Sequence, residues 1–146
     1  MVRAEARRRS ARTIGRAAEA AAFLLAARTT LEIVPFGRLS RLFTRPPLRP
    51  EPAAARRREL VAGVRRAIAA AAVRLPGETV CLPRAMAAQA MLRRRGISTT
   101  LYYGVMRSSP GGLQAHAWLQ SEDGGVVGHE AAPAYNVLAT YRSSHT

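Results

Sequence analysis

The spacing of apolar positions changes along the chain, and each change predicts a change of element. Leu60, Val61, Val64, Ile68, Ala71 and Leu75 recur three and four residues apart opposite a face of arginines, which predicts a helix from Ala53 to Arg74. Pro76-Gly77 stops it. After the short approach Glu78-Thr79-Val80, a further helix is expected from Cys81 to Arg95. Pro83 fits its first turn, where an N–H would have no partner within the helix. Arg93-Arg94-Arg95 suits the negative end of the helix dipole, and Gly96 supplies a left-handed cap. Beyond Gly96 the period falls to two. Ile97 to Met106 reads as a strand and Ser108 to Gly112 as a loop. Leu113, Ala115, Ala117 and Leu119 then alternate with Gln114, His116, Trp118 and Gln120, the pattern of a second strand. Glu122-Asp123-Gly124-Gly125 reads as a hairpin turn, and Val126-Val127 begins the return strand.

The ends of the chain are less periodic. The first thirty residues are helix-prone, and Leu31 to Phe43 is interrupted by Pro35 and Gly37. Four prolines between Arg45 and Pro52 exclude a helix interior and predict a linker or stiff strap. The tail from Ala131 shows no clear period. Helices followed by antiparallel strands predict an α+β fold. The expected division is a helical arm and strap over residues 1–52 and a catalytic unit over 53–146.

Composition adjusts this picture only slightly. A chain of 146 residues is one domain by size and buries about two thirds of its unfolded surface. Its 48% hydrophobic and 22% charged residues fit a globular protein, although much of the apolar share is alanine. The formal net charge is +14 and every basic residue is arginine, a bias that a high-GC bacterial genome would produce. Such a charge attracts anionic partners. Yet the runs at 7–9, 56–58, 65–66 and 93–95 also fit solvated helix faces, and they lack the interleaved aromatics of nucleic-acid surfaces, so nucleic acid is not the expected partner. One cysteine excludes an intrachain disulfide. Residues 17–27 are too short and too late for a signal or a membrane span, so a cytoplasmic protein without a transmembrane segment is expected.

The candidate chemistry begins at Cys81. A cysteine at a helix start faces unsatisfied N–H groups and the positive dipole end, which favour a nucleophilic thiolate; otherwise it is a small buried hydrophobe. His116 lies mid-strand, one helix and one strand later, where it can reach a cysteine packed against a central strand and act as base. A third group should orient the imidazole. His129 has suitable parity if Val127 faces the core, Glu130 has the better chemistry, and Asp123 is close to the turn tip. Backbone N–H groups at Cys81 and Leu82 are the expected oxyanion donors. His116, His129 and His145 with a single cysteine form no metal-ligand spacing, and no phosphate loop is present, so neither metal nor cofactor is expected.

Cys81-Leu82-Pro83-Arg84, Leu92-Arg93-Arg94-Arg95-Gly96-Ile97, Gly104-Val105 and Ala115-His116-Ala117-Trp118-Leu119 with Val126-Val127 stand in an order that resembles the transglutaminase-like leader peptidases of lasso-peptide pathways. The resemblance covers Thr79 to Glu130, and Val34-Pro35-Phe36 is similar to that family's N-terminal arm. It implies a transglutaminase-like or papain-like core with a Cys-His-acid site. It also implies a ribosomally made precursor as substrate, cut between leader and core before a separate cyclase closes the ring. A small leader-recognition protein would present the leader, and the short chain fits that split arrangement. The family usually places an acidic residue after the return strand, where this chain has Gly128-His129-Glu130 with one extra residue in the turn. Two other readings use the same residues differently: an acyltransferase on the same Cys-His pair, and a basic adaptor without catalysis.

Overall fold

The architecture comes from a computed structural model that describes residues 1–76 and 81–145. Four helices precede a four-stranded antiparallel sheet, which is the α+β arrangement expected. They are α1 (Val2–Ile33), α2 (Phe36–Phe43), α3 (Ala54–Arg74) and α4 (Cys81–Arg94), followed by β1 (Thr99–Ser108), β2 (Gly112–Ser121), β3 (Gly124–Val127) and β4 (Asn136–Ser143). The expected approach at Glu78-Thr79-Val80, together with Gly77, lies outside the described residues.

The apolar stripe of α3 forms as its spacing predicts, burying Leu60, Val61, Val64, Ala67, Ile68 and Ala71. α4 is buried more evenly, through Ala85, Ala87, Ala88, Met91 and Leu92, because it lies between α3, α1 and the sheet. Its alanines let the helices approach closely, and Leu101, Ala117, Leu119 and Val126 close the core from the sheet side. α4 ends where arginine and glycine predicted. Gly96 has φ +81, and the Ile97 N–H donates to Leu92 O at 3.0 Å. Any side chain at Gly96 would collide with the carbonyls of Arg49 and Pro50, so the Pro-rich strap lies directly on this cap. Two further bonds fix the strap, from Arg93 Nε to Pro46 O and from Leu48 N to Arg93 O.

α1 stops before Pro35, as expected, but Gly37 lies within α2 and does not break it. The strand order is β3-β2-β1-β4, so β2 is an interior strand. β4 is the element without a clear sequence signal. It pairs with β1 at the sheet edge; Val137 and Leu138 at its start are both exposed, and half-buried alternation develops only over Ala139, Tyr141 and Ser143. In β2 burial does not alternate, because Ala117, Trp118 and Leu119 are all buried. Leu113 and Ala115 project with the β1–β2 hairpin into solvent. No helix among the described residues is long and apolar enough to cross a membrane.

Candidate active site

The first turn of α4 rests against β2 at a point where the sheet has a gap. β3 pairs with β2 only from Leu119 to Ser121, so the β2 backbone near Ala117 has no strand partner on that side. Cys81 fills the position: its Sγ accepts a hydrogen bond from Ala117 N–H at 3.4 Å. Because α4 begins at Cys81, the N–H groups of Cys81 and Leu82 have no acceptor one turn earlier in the helix. His116 is the neighbour of Ala117. Cys81 and His116 line one cavity of about 330 Å³, together with Arg65, Arg84, Gly128 and Glu130.

The imidazole is flanked by two aromatic rings, whose own centroids lie 6.5 Å apart, and is held at one edge. Its ring centroid lies 4.9 Å from that of Tyr135 and 5.9 Å from that of Trp118, and Trp118 is in turn stacked on Tyr102 at 5.5 Å. His116 Nε2 lies 2.8 Å from the carbonyl oxygen of Gly128. A carbonyl can only accept, so Nε2 carries the proton and donates it, and Nδ1 is the acceptor of the neutral ring. Gly128 is required for this contact. Its φ is +73, and a Cβ there would sit 2.9 Å from Ala117 O and 3.2 Å from His116 Nε2.

The third-member candidates fall differently from expectation. The return strand ends at Val127, so His129 and Glu130 are not on it; both lie in a single 3-10 turn, His129–Ala134. Val126 is fully buried, and Val127, paired with Leu119, packs against the core as a partly buried residue, but the left-handed turn at Gly128 then takes His129 off the strand. The His129 ring packs over Gly125, its Nδ1 is buried without a partner, and its Nε2 lies 3.6 Å from Glu130. Glu130 lines the cavity mouth and its side chain is 78% exposed. Asp123 lies outside the cavity lining. Arg57 binds its carboxylate at 2.8 and 3.2 Å, and that hydrogen bond holds the Asp123 carboxyl below the usual carboxylate range.

Three contributors to the site were not singled out in the sequence: the Gly128 carbonyl, Tyr135 and Arg84. Backbone groups carry no residue signature, which hides the first. Tyr135 sits in the aperiodic tail. Arg84 had a signal, since three residues after Cys81 on a helix is the same face one turn on. Among the described residues no three His, Cys, Asp or Glu side chains cluster as metal ligands.

A family model described as the transglutaminase-like superfamily matches residues 21–140. No curated protein and no solved structure matches the chain.

Proposed function

We propose, for a chain that belongs to the transglutaminase-like superfamily, whose members include cysteine proteases and acyltransferases, that it is a cysteine peptidase with Cys81 as nucleophile and His116 as base. The observation that carries this reading is the shared cavity. One wall holds a thiol at a helix start, and beside it stands a histidine whose Nε2 is committed to Gly128 O, leaving Nδ1 to take a proton. In this reading the Gly128 carbonyl has the orienting role usually given to a carboxylate, because it fixes the tautomer and the ring's position.

The reaction follows from that arrangement. Sγ attacks the scissile carbonyl carbon and its proton passes to His116. The oxyanion is held by the N–H groups of Cys81 and Leu82. The tetrahedral species collapses as His116 protonates the leaving amine, giving a thioester, and water deprotonated by His116 then releases the acid and restores the thiol. The substrate we assign is the precursor of a lasso peptide, cut between leader and core and presented by a separate leader-recognition protein. The support for that assignment is the ordered set of segments from Cys81 to Val127 noted in the sequence. On this assignment the arm and strap of residues 1–52 serve the catalytic unit of 53–146 as a docking surface for the presented leader.

Mass spectrometry of the products, after incubation with precursor, recognition protein and a free amine, tests the reading. A leader ending in a free carboxylate is the expected product. A leader joined to the amine would mark an acyltransferase, and an intact precursor in the presence of its cognate recognition protein would overturn both.

A further inference from the structure

Two arginines line the cavity that holds the nucleophile. Arg65 comes from α3, and Arg84 lies one turn after Cys81 on α4. Much of the remaining lining is apolar, including Ile68, Val126 and Val127. Arg65 is fixed by a hydrogen bond from Nη2 to Gly125 O. Arg84 is different: its Nε is shielded from solvent and has no hydrogen-bond partner. Native folds seldom keep a buried donor unsatisfied, because nothing repays its lost hydration. A ligand acceptor seated in the cavity that Arg84 lines would give its guanidinium a partner. Among the described residues Glu130 is the one carboxylate lining this cavity; its side chain is mostly exposed and lies 3.6 Å from His129 Nε2, and two arginines stand against it. Elsewhere three arginines pair with carboxylates: Glu19 takes Arg94 and Arg95, and Asp123 takes Arg57.

We infer that the cavity is a carboxylate-binding subsite. The substrate carries an acidic side chain beside the bond that is cut, and Arg84 is the specificity-determining residue that pairs with it. This rests on Cys81 being the reactive thiol, and it adds the chemical class recognised next to it. The planar guanidinium matches a carboxylate through paired N–H groups, and apolar walls strengthen the pairing by excluding water.

The test compares alkylation of Cys81, the single thiol of the chain, by iodoacetate and by iodoacetamide. In both reactions Sγ attacks the methylene carbon, a C–S bond forms and iodide leaves. The reagents differ only in carboxylate against carboxamide. The readout is the ratio of their rate constants on the full folded chain, relative to the same chain unfolded in urea. Folding should raise that ratio roughly tenfold, the scale of one charge-assisted hydrogen bond. Arg84→Gln should return it to the unfolded value, and Arg84→Lys should leave it intermediate. Arg3→Gln, which removes an equal charge from the exposed start of α1, should leave it high. A high ratio in a folded Arg84→Gln protein overturns the inference. If that variant does not fold, the wild-type ratio decides, and a value equal to that of the unfolded chain overturns it. The iodoacetamide rate reports separately on the thiol. If native and unfolded chains react equally fast with this neutral reagent, the peptidase reading fails instead.

Discussion

The two ends of α4 handle charge in opposite ways. At its C-terminal end the Glu19 carboxylate of α1 accepts hydrogen bonds from Arg94 at 2.8 Å and from Arg95 at 2.6 and 2.9 Å, while Arg93 binds the strap at Pro46. Each of the three consecutive arginines there has an acceptor. At the N-terminal end, Cys81 takes a single long bond from Ala117 N–H, Arg84 Nε has no partner, and nearby His129 Nδ1 has none. One end ties the arm, the strap and the helix together. The other keeps polar groups unspent beside a cavity. The ties that hold elements together are thus concentrated at one end of the helix, and the unsatisfied Arg84 Nε lies at the other, on a residue that lines the cavity.

Substitutions can break either side of that contrast. The largest effect is expected from His116→Ala, which should lower precursor turnover by at least about a thousandfold, the scale seen when one member of such a catalytic set is lost. Its far-UV circular dichroism should remain that of wild type. Gly128→Ala should come next. A Cβ forced into the left-handed region and against Ala117 O and His116 should cost about 1–3 kcal/mol in urea unfolding and also slow turnover, because the imidazole loses its anchor.

Glu19→Gln should act on the other end alone, costing about 1 kcal/mol with turnover unchanged. Burial by itself would raise the Glu19 carboxyl pKa, but the Arg95 hydrogen bond and the charges of Arg95, Arg94 and Arg16 outweigh it and hold the value below normal. A carboxyl depressed in the fold stabilises above its unfolded pKa of about 4.3 and loses that stabilisation as pH falls through the folded value. The stability gap between wild type and Glu19→Gln should therefore close below about pH 4, as followed by urea unfolding across an acid series.

The same contrast explains what the sequence made legible. Helix α3 declared itself because it buries one face, which imposes a period, whereas α4 was legible from its ends, Pro83 and Arg93-Arg94-Arg95-Gly96, and the β2–β3 hairpin from its turn residues. β4 borders solvent at the sheet edge: its large apolar residues Val137 and Leu138 are exposed, and the positions that turn inward are Ala139, Tyr141 and Ser143, which give no apolar alternation to read. Cys81 and His116 were readable as residue types at a suitable separation. Their surroundings were not. The αL turn at Gly128 carries the chain off the strand before His129 and Glu130, so neither stands on the return strand from which the third member was expected. Arginine was legible as charge but not as structure. Arg57, inside a run that reads as a solvated face, reaches Glu51, Glu122 and Asp123 and holds the β2–β3 turn to α3. A charge reversal meant to probe partner docking therefore belongs at Arg58, since reversal at Arg57 would also loosen that turn.

The central claim is that Cys81 forms a covalent acyl intermediate with the leader segment of its substrate. Its most direct test is intact-mass measurement of the protein itself, acid-quenched within a single turnover of the precursor presented by its recognition protein. The account predicts wild-type protein heavier by the leader acyl group, an adduct that hydroxylamine removes and that Cys81→Ala never forms. Leader release by Cys81→Ala at the wild-type rate would contradict it.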